Sequence, residues 1–333
     1  MLNCEDKIER AKSAGVYIEQ YIDGVEGDEL YERAINPAKM NLRHTKNTSP
    51  ETPALIGLLQ TYNANPILFK DFPNNLAEYF QSEPTNLEMA DIIYYYSFYS
   101  LIYFDWECLQ HLNFVIHEME KECDEVRLSQ LLCRRALLKL RADNEAIIES
   151  AKNDITRAFE LAEKYNEPNL LALSEFAMAI LARKNENYFD AIRFINESTK
   201  KYRELKRIPQ YIECIIEYLK IAILGFSINS DDKEQLLRDI KYIRENVENY
   251  ITERINVYEP EYCYLMGMIL YEYTTAPRED SLYYLADSLS LAQQFNQPHN
   301  FNYFTETLSQ LGLLDEVKDI LNKPQNKASI NTN

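Results

Sequence analysis

The residues of this chain best suited to metal, redox or nucleophilic chemistry are its six cysteines and four histidines. Cys108, His111, His117 and Cys123 stand close together. Metal ligands carried on one helix must lie three or four residues apart for their side chains to converge. Cys108 and His111 meet that spacing, but His117 is six residues further on and lies off their face. They read as ordinary helix residues. His44 and His299 stand apart, and none of the histidines sits in a nucleophile–base pattern. There is no glycine-rich phosphate loop. Asp and Glu are spread along the chain as on solvated helix faces and isolate no acid–base pair. The sequence points to no catalytic residue, no metal ligand and no cofactor.

Recognition chemistry is better represented. Arg127, Arg134, Arg135, Lys139 and Arg141 stand out in a chain of net charge −18. Arg127, Arg134 and Arg141 recur every seven residues and Arg135 and Lys139 are four apart, so one helix carries a basic stripe. Such a stripe either pairs with the acidic stretch before it, Glu118 to Glu125, or holds a carboxylate or acidic segment of a partner. The 25 tyrosines are the second feature. Tyr94, Tyr95, Tyr96, Tyr99 and Tyr103 crowd one stretch, and Tyr262, Tyr264, Tyr271, Tyr273, Tyr283 and Tyr284 another. Tyrosine fills broad gaps between helices with its hydroxyl at the surface, or it grips a peptide with a rigid amphipathic ring. Tyr94 and Tyr95, with Arg127, Arg134 and Arg135, are the candidate peptide- or partner-binding residues. A basic loop carries Arg33, Lys39, Arg43 and Lys46, with no acid between Glu32 and Glu51. It is the one candidate nucleic-acid contact. The acidic run beside it and the acidity of the whole chain argue against that role.

The elements that must position these residues are helices. The stretch Leu161–Tyr211 shows the unit most clearly. Leu170, Leu173, Ala177, Ile180 and Leu181 recur with the period of one helix face, which predicts a helix over 169–183. Lys184-Asn185-Glu186-Asn187 is a short polar break that forces an antiparallel return. Tyr188, Ala191, Ile192, Ile195, Thr199, Tyr202 and Leu205 form the stripe of a second helix, over 188–206. Pro168 and Pro209 mark the two ends. Small Ala191 lets the second helix approach the first, and Tyr188 plugs the turn. The sequence LAEKYNEP at 161–168 returns as LAQQFNQP at 291–298, and Ser198 to Pro209 is a looser copy. An echo of this kind is the sign of stacked helical repeats. The central unit resembles the tetratricopeptide repeat, with Ala179, Tyr188, Ala191, Ile195 and Ser198 at its small and bulky consensus places. Met178-Ala179 stands where Leu-Gly is usual, and no tryptophan starts the unit.

These patterns predict an all-α fold, a right-handed superhelix of about six tetratricopeptide-like hairpins over 86–322, each about 40 residues long. Residues 1–85 form an N-terminal helical region, a cap or small domain, and 323–333 a polar tail. Only seven glycines occur, and hairpin-turn dipeptides for strands are missing. The cysteines lack CxxC pairing and read as buried free thiols of a cytoplasmic protein. Neither a signal peptide nor an 18-residue apolar run is evident, so no membrane partner is expected.

An N-terminal helical head followed by such hairpins, with their LAxx[Y/F]N[E/Q]P turns, also resembles the peptide-pheromone receptors of Gram-positive bacteria and their phages (the Rap, PlcR and arbitrium-receptor type). That resemblance implies a short linear peptide bound inside the solenoid that changes its conformation. Some members of that family carry a DNA-binding head, and others a helical bundle that binds response regulators. Here the first 85 residues lack a clear recognition helix. The expectation is a non-enzymatic binding protein that takes a peptide or partner-protein segment in its concave groove, with a regulatory output. The alternatives are a scaffold subunit of a larger assembly, or a peptide-responsive transcription regulator using residues 1–85. A homodimer is compatible with all three.

Overall fold

A computed structural model describes residues 84–322, except 104, 123, 143, 226–229, 249–250, 252–257 and 275, together with Leu76 and Phe80. Among the described residues the chain is all-α, with twelve helices and no strand. They are α1 (Asn86–Tyr103), α2 (Glu107–Glu122), α3 (Glu125–Lys139), α4 (Glu145–Tyr165), α5 (Pro168–Lys184) and α6 (Tyr188–Glu204). There follow α7 (Ile208–Gly225), α8 (Ser230–Asn246), α9 (Glu259–Tyr273), α10 (Arg278–Gln294), α11 (Pro298–Gln310) and α12 (Leu314–Asn322).

The helices stack as six successive pairs. Each first helix (α1, α3, α5, α7, α9) packs on the first helix of the next pair. Helices α2, α4, α6 and α10 pack on their own partner and on the following first helix, and among the described residues α12 packs chiefly on α10. The first helices therefore form one continuous layer, which the second helices flank. The α7–α8 pair is the loosest, bridged through the hydroxyl of Tyr218, which donates to Asp239.

One turn geometry recurs between helices. Asn166, Glu186, Lys206 and Asn296 have φ of 46°, 57°, 55° and 52°, and Gly312 has φ of 70°. At Glu186, its own N–H donates to Arg183 O and the Asn187 N–H to Ala182 O, at 3.0 and 2.9 Å. This left-handed residue with its two bonds closes the last helical turn and satisfies its carbonyls. The same pair of bonds closes the helices before Asn166, Lys206, Asn296 and Gly312. The echoed octapeptide is thus a turn signature. Asn takes the left-handed position, Glu167 or Gln297 stands at the next N-cap, and Pro168 or Pro298 opens the next helix. The Glu167 carboxylate accepts from the N–H groups of Asn169 and Leu170 at 2.7 and 3.0 Å. Asn187 caps α6 by accepting from the Asp190 N–H.

Small residues set the approach within pairs. Ala158, Ala172, Ala179 and Ala191 are fully buried. Three buried serines tie one helix to the backbone of its mate. Ser129 donates to Ala158 O at 2.9 Å, Ser198 to Ala172 O at 2.8 Å and Ser281 to Gly267 O at 2.8 Å. A Cβ on Gly267 would fall 2.7 Å from the Leu285 side chain, so α9 and α10 touch there through glycine.

Candidate binding face on the first helices

The residues singled out by sequence do not form one stripe. Successive residues on a helix point about 100° apart, and α3 uses that rotation to divide its cations. Arg135 and Lys139 turn toward α4. Arg135 grips Asp154 with Nε and Nη2, at 2.9 and 2.6 Å, and donates to Asn113 at 3.0 Å. Lys139 donates to Asp154 and Ser150, each at 2.7 Å. The acidic stretch Glu118–Glu125 is not their partner. Of its carboxylates only Asp124 meets the stripe, at Arg127, while Glu118, Glu120 and Glu125 engage Lys121, Arg157 and Lys164. Arg127 and Arg134 turn to the first-helix layer. Arg127 bridges Asp91 of α1 and Asp124, at 2.9 and 2.8 Å.

Arg134 lies deepest, at 1% exposure the largest fully buried side chain described. Its guanidinium carbon is 5.2 Å from the Tyr94 ring centroid, and Nη1 is 4.0 Å from Glu213 Oε1 on α7. Burial opposes the Arg134 charge, but Tyr94 and Glu213 more than compensate. Burial also lifts the Glu213 carboxyl above its ordinary range, against the pull of Arg134 and of the Tyr258 hydroxyl, which donates to it at 3.0 Å.

The row continues along the layer. Arg183 of α5 donates through Nε and Nη2 to both oxygens of Glu217 on α7. Lys220 Nζ is 3.9 Å from Glu217 and 2.7 Å from Glu261 of α9. Burial raises the Glu261 carboxyl, but Lys220 and Arg141 outweigh it and hold it below its usual range. The side chains of Arg183, Lys220 and Glu261 remain 17, 18 and 21% exposed, so solvent still reaches this row. Charged and aromatic groups of α1, α3, α5, α7 and α9 thus form one ladder of partly buried, mutually paired sites. Sequence reasoning named Tyr94, Arg127 and Arg134 but missed Arg183, Glu213, Glu217, Lys220 and Glu261. Their signal was present: Glu213, Glu217 and Lys220 are the charges of an otherwise apolar helix, and they share one face at i, i+4 and i+7.

Tyr95 is half-buried, edge-on to Tyr94 with centroids 5.4 Å apart. Among the described residues most other tyrosines fill gaps between helices, with one correction to the sequence reading: several hydroxyls stay inside and donate to protein acceptors. Tyr96 donates to Asp105, Tyr284 to Glu248 and Tyr273 to Ile223 O. Tyr264 stacks on Phe304 at 4.3 Å.

Cys108 is fully buried, and burial pushes its thiol far above the ordinary range. His111 packs against Phe80 and Tyr96, and burial lowers its pKa. His117 is exposed on another face, so the three do not converge. Cys133, Cys214 and Cys263 are likewise buried and free. Arg33, Lys39, Arg43 and Lys46 lie outside the described residues. No helix among the described residues is long and apolar enough to cross a membrane. The chain matches no protein-family profile, and no curated protein or solved structure is significantly similar to it.

Proposed function

We propose that the first-helix layer is a binding face for an extended polypeptide segment, and that the protein acts by recognition rather than catalysis. The observation that carries this reading is the ladder Arg134–Glu213, Arg183–Glu217–Lys220–Glu261. Buried charges cost stability that well-packed apolar residues of similar volume would not. A row of them running through successive pairs gains when a ligand's charged and amide groups exchange into it. Tyr94 and Tyr95 supply rigid aromatic surface at one end. A ligand held along the layer would touch several pairs at once and bias their stacking, which is how binding would become a regulatory output.

A peptide selected from a random library should raise the melting temperature of the full chain in a concentration-dependent way, because it stabilises only the native state. Failure of every selected peptide to do so would remove the reading. A scaffold role is the second reading, favoured by exposed aromatic side chains on or just before second helices. Trp106, which precedes α2, and Phe114 and Phe189, on α2 and α6, are 43, 51 and 83% exposed. A partner docking there would leave binding indifferent to the ladder.

A further inference from the structure

Among the described helices α8 is held differently from the rest. Its buried residues Leu236, Ile240 and Ile243, continued by Val247 just past its end, fall at i, i+4, i+7 and i+11, a single narrow seam. No other described helix runs along it in close contact, whereas α7, its own partner, packs on α6 and α9. The last residue of α7 is pinned as well. A Cβ on Gly225 would fall 2.9 Å from the Tyr188 side chain of α6.

Two tyrosine hydroxyls reach α8 from its neighbours. Tyr218 of α7 donates to Asp239 in the middle of α8. Tyr284 of α10 donates to Glu248, two residues past the end of α8, at 2.5 Å. Arg244 of α8 lies over the same Tyr284 ring, 5.9 Å from its centroid. A helix that buries one seam and is otherwise joined through long side chains belongs to the low-stability end of a fold and opens as a unit.

Helix α7 faces two ways. Glu213, Glu217 and Lys220 carry the ladder on one side. Tyr218, next to Glu217 in sequence and about 100° further round the helix, reaches Asp239 of α8. A ligand that exchanges into the Glu217 rung therefore acts on the residue beside the contact that holds α8.

We propose that α8 is a latched helix, docked on α7 and α10 through Tyr218–Asp239 and Tyr284–Glu248, that undocks as a unit while the first-helix layer stays folded and is released when a ligand occupies the Glu217 rung. The release rests on the first-helix reading; the latch does not. Undocking exposes the apolar seam of α8 and gives the chain two discrete arrangements, which a regulatory output needs.

The test is native-state amide hydrogen exchange of the full chain, as the parent and as Tyr218→Phe and Tyr284→Phe, each of which removes only a hydroxyl. Amides of α8 should be at least about 100-fold less protected than those of α5. Each variant should lower α8 protection a further ten-fold, about the worth of a hydrogen bond to a charged group, and leave α5 unchanged. Equal protection of α8 and α5, or variants that lower both by one factor, would show that α8 opens only with the whole fold and would overturn the latch. With the tightest selected peptide bound, α8 should exchange about ten-fold faster while the first helices slow. Exchange of α8 unchanged or slowed beside a protected layer would overturn the release. If no peptide protects the layer, the first-helix reading falls and the release with it, and the two variants in the free chain still decide the latch.

Discussion

Arg134→Met tests whether the ladder's ionic groups act as pairs. Methionine keeps most of the stem volume, so packing against Tyr94 is largely preserved while the charge is lost. Removing one partner of a buried ion pair typically costs about 3–5 kcal/mol, because the other charge stays buried. Here Arg134 and Glu213 are 4.0 Å apart and Tyr258 continues to donate to Glu213. Those two facts place the cost at or just below the bottom of that range, about 2–3 kcal/mol at pH 8. The sign with pH follows from Glu213. Its folded-state carboxyl is already raised by burial, and losing Arg134 raises it further. The charged form is then the destabilised one. Its penalty is absent below the ordinary carboxylate pKa, grows as pH rises toward the raised value and is complete above it. Arg134→Met should therefore cost markedly less at pH 5 than at pH 8. The double variant Arg134→Met/Glu213→Met should recover stability to within about 1 kcal/mol of the parent. Urea unfolding of the four proteins at both pH values is the assay. A single-variant cost independent of pH, with a double variant as unstable as the sum of the singles, would refute the pairing.

Three further outcomes follow from the geometry. Glu259→Gln should stabilise the protein at pH 8 by about 1–2 kcal/mol, after allowance for solvent screening, and be neutral near pH 5; the reason is a carboxyl raised to about 7, and thermal unfolding across pH checks it. Gly267→Ala should destabilise by about 1–3 kcal/mol in spite of alanine's higher helix propensity, because its Cβ would enter the Leu285 contact; a gain in melting temperature would contradict this. Glu186→Gly and Lys206→Gly should each stabilise by up to about 1 kcal/mol, since both residues hold left-handed backbone that suits glycine; denaturant midpoints measure it.

Helix periods, the polar break at 184–187 and the prolines were enough to place the helices of the central unit to within two residues. Apolar spacing is set by burial on one face, and that survives as a pattern in a single chain. The echoed LAxx[Y/F]N[E/Q]P was legible as a repeat, but its cause, a left-handed closing residue followed by a cap and a helix-opening proline, needed the backbone. The close approach of α9 and α10 at Gly267 was hidden, because α9 is apolar nearly all round and its sequence shows no single packing face. The candidate face was harder to read. Periodicity put Arg127 and Arg134 on one stripe, yet it could not say that Arg135 and Lys139 would be taken by Asp154, 15 to 19 residues away. Pairing between helices depends on their crossing geometry, which one sequence does not encode locally. The same limit hid the partners of Glu213, Glu217 and Glu261, which come from other pairs.

The most direct test of the first-helix reading is amide hydrogen exchange of the full chain with and without its tightest selected peptide. It is paired with the affinity of that peptide for Arg183→Met/Glu217→Met, in which an ionic rung becomes apolar without leaving a buried charge behind. Protection concentrated in α3, α5, α7 and α9, with at least about ten-fold weaker binding to the double variant, is the predicted result, ten-fold being 1.4 kcal/mol of lost interaction. Protection confined to the second helices, with affinity unchanged by the double variant, would contradict it and turn the account toward the outer face.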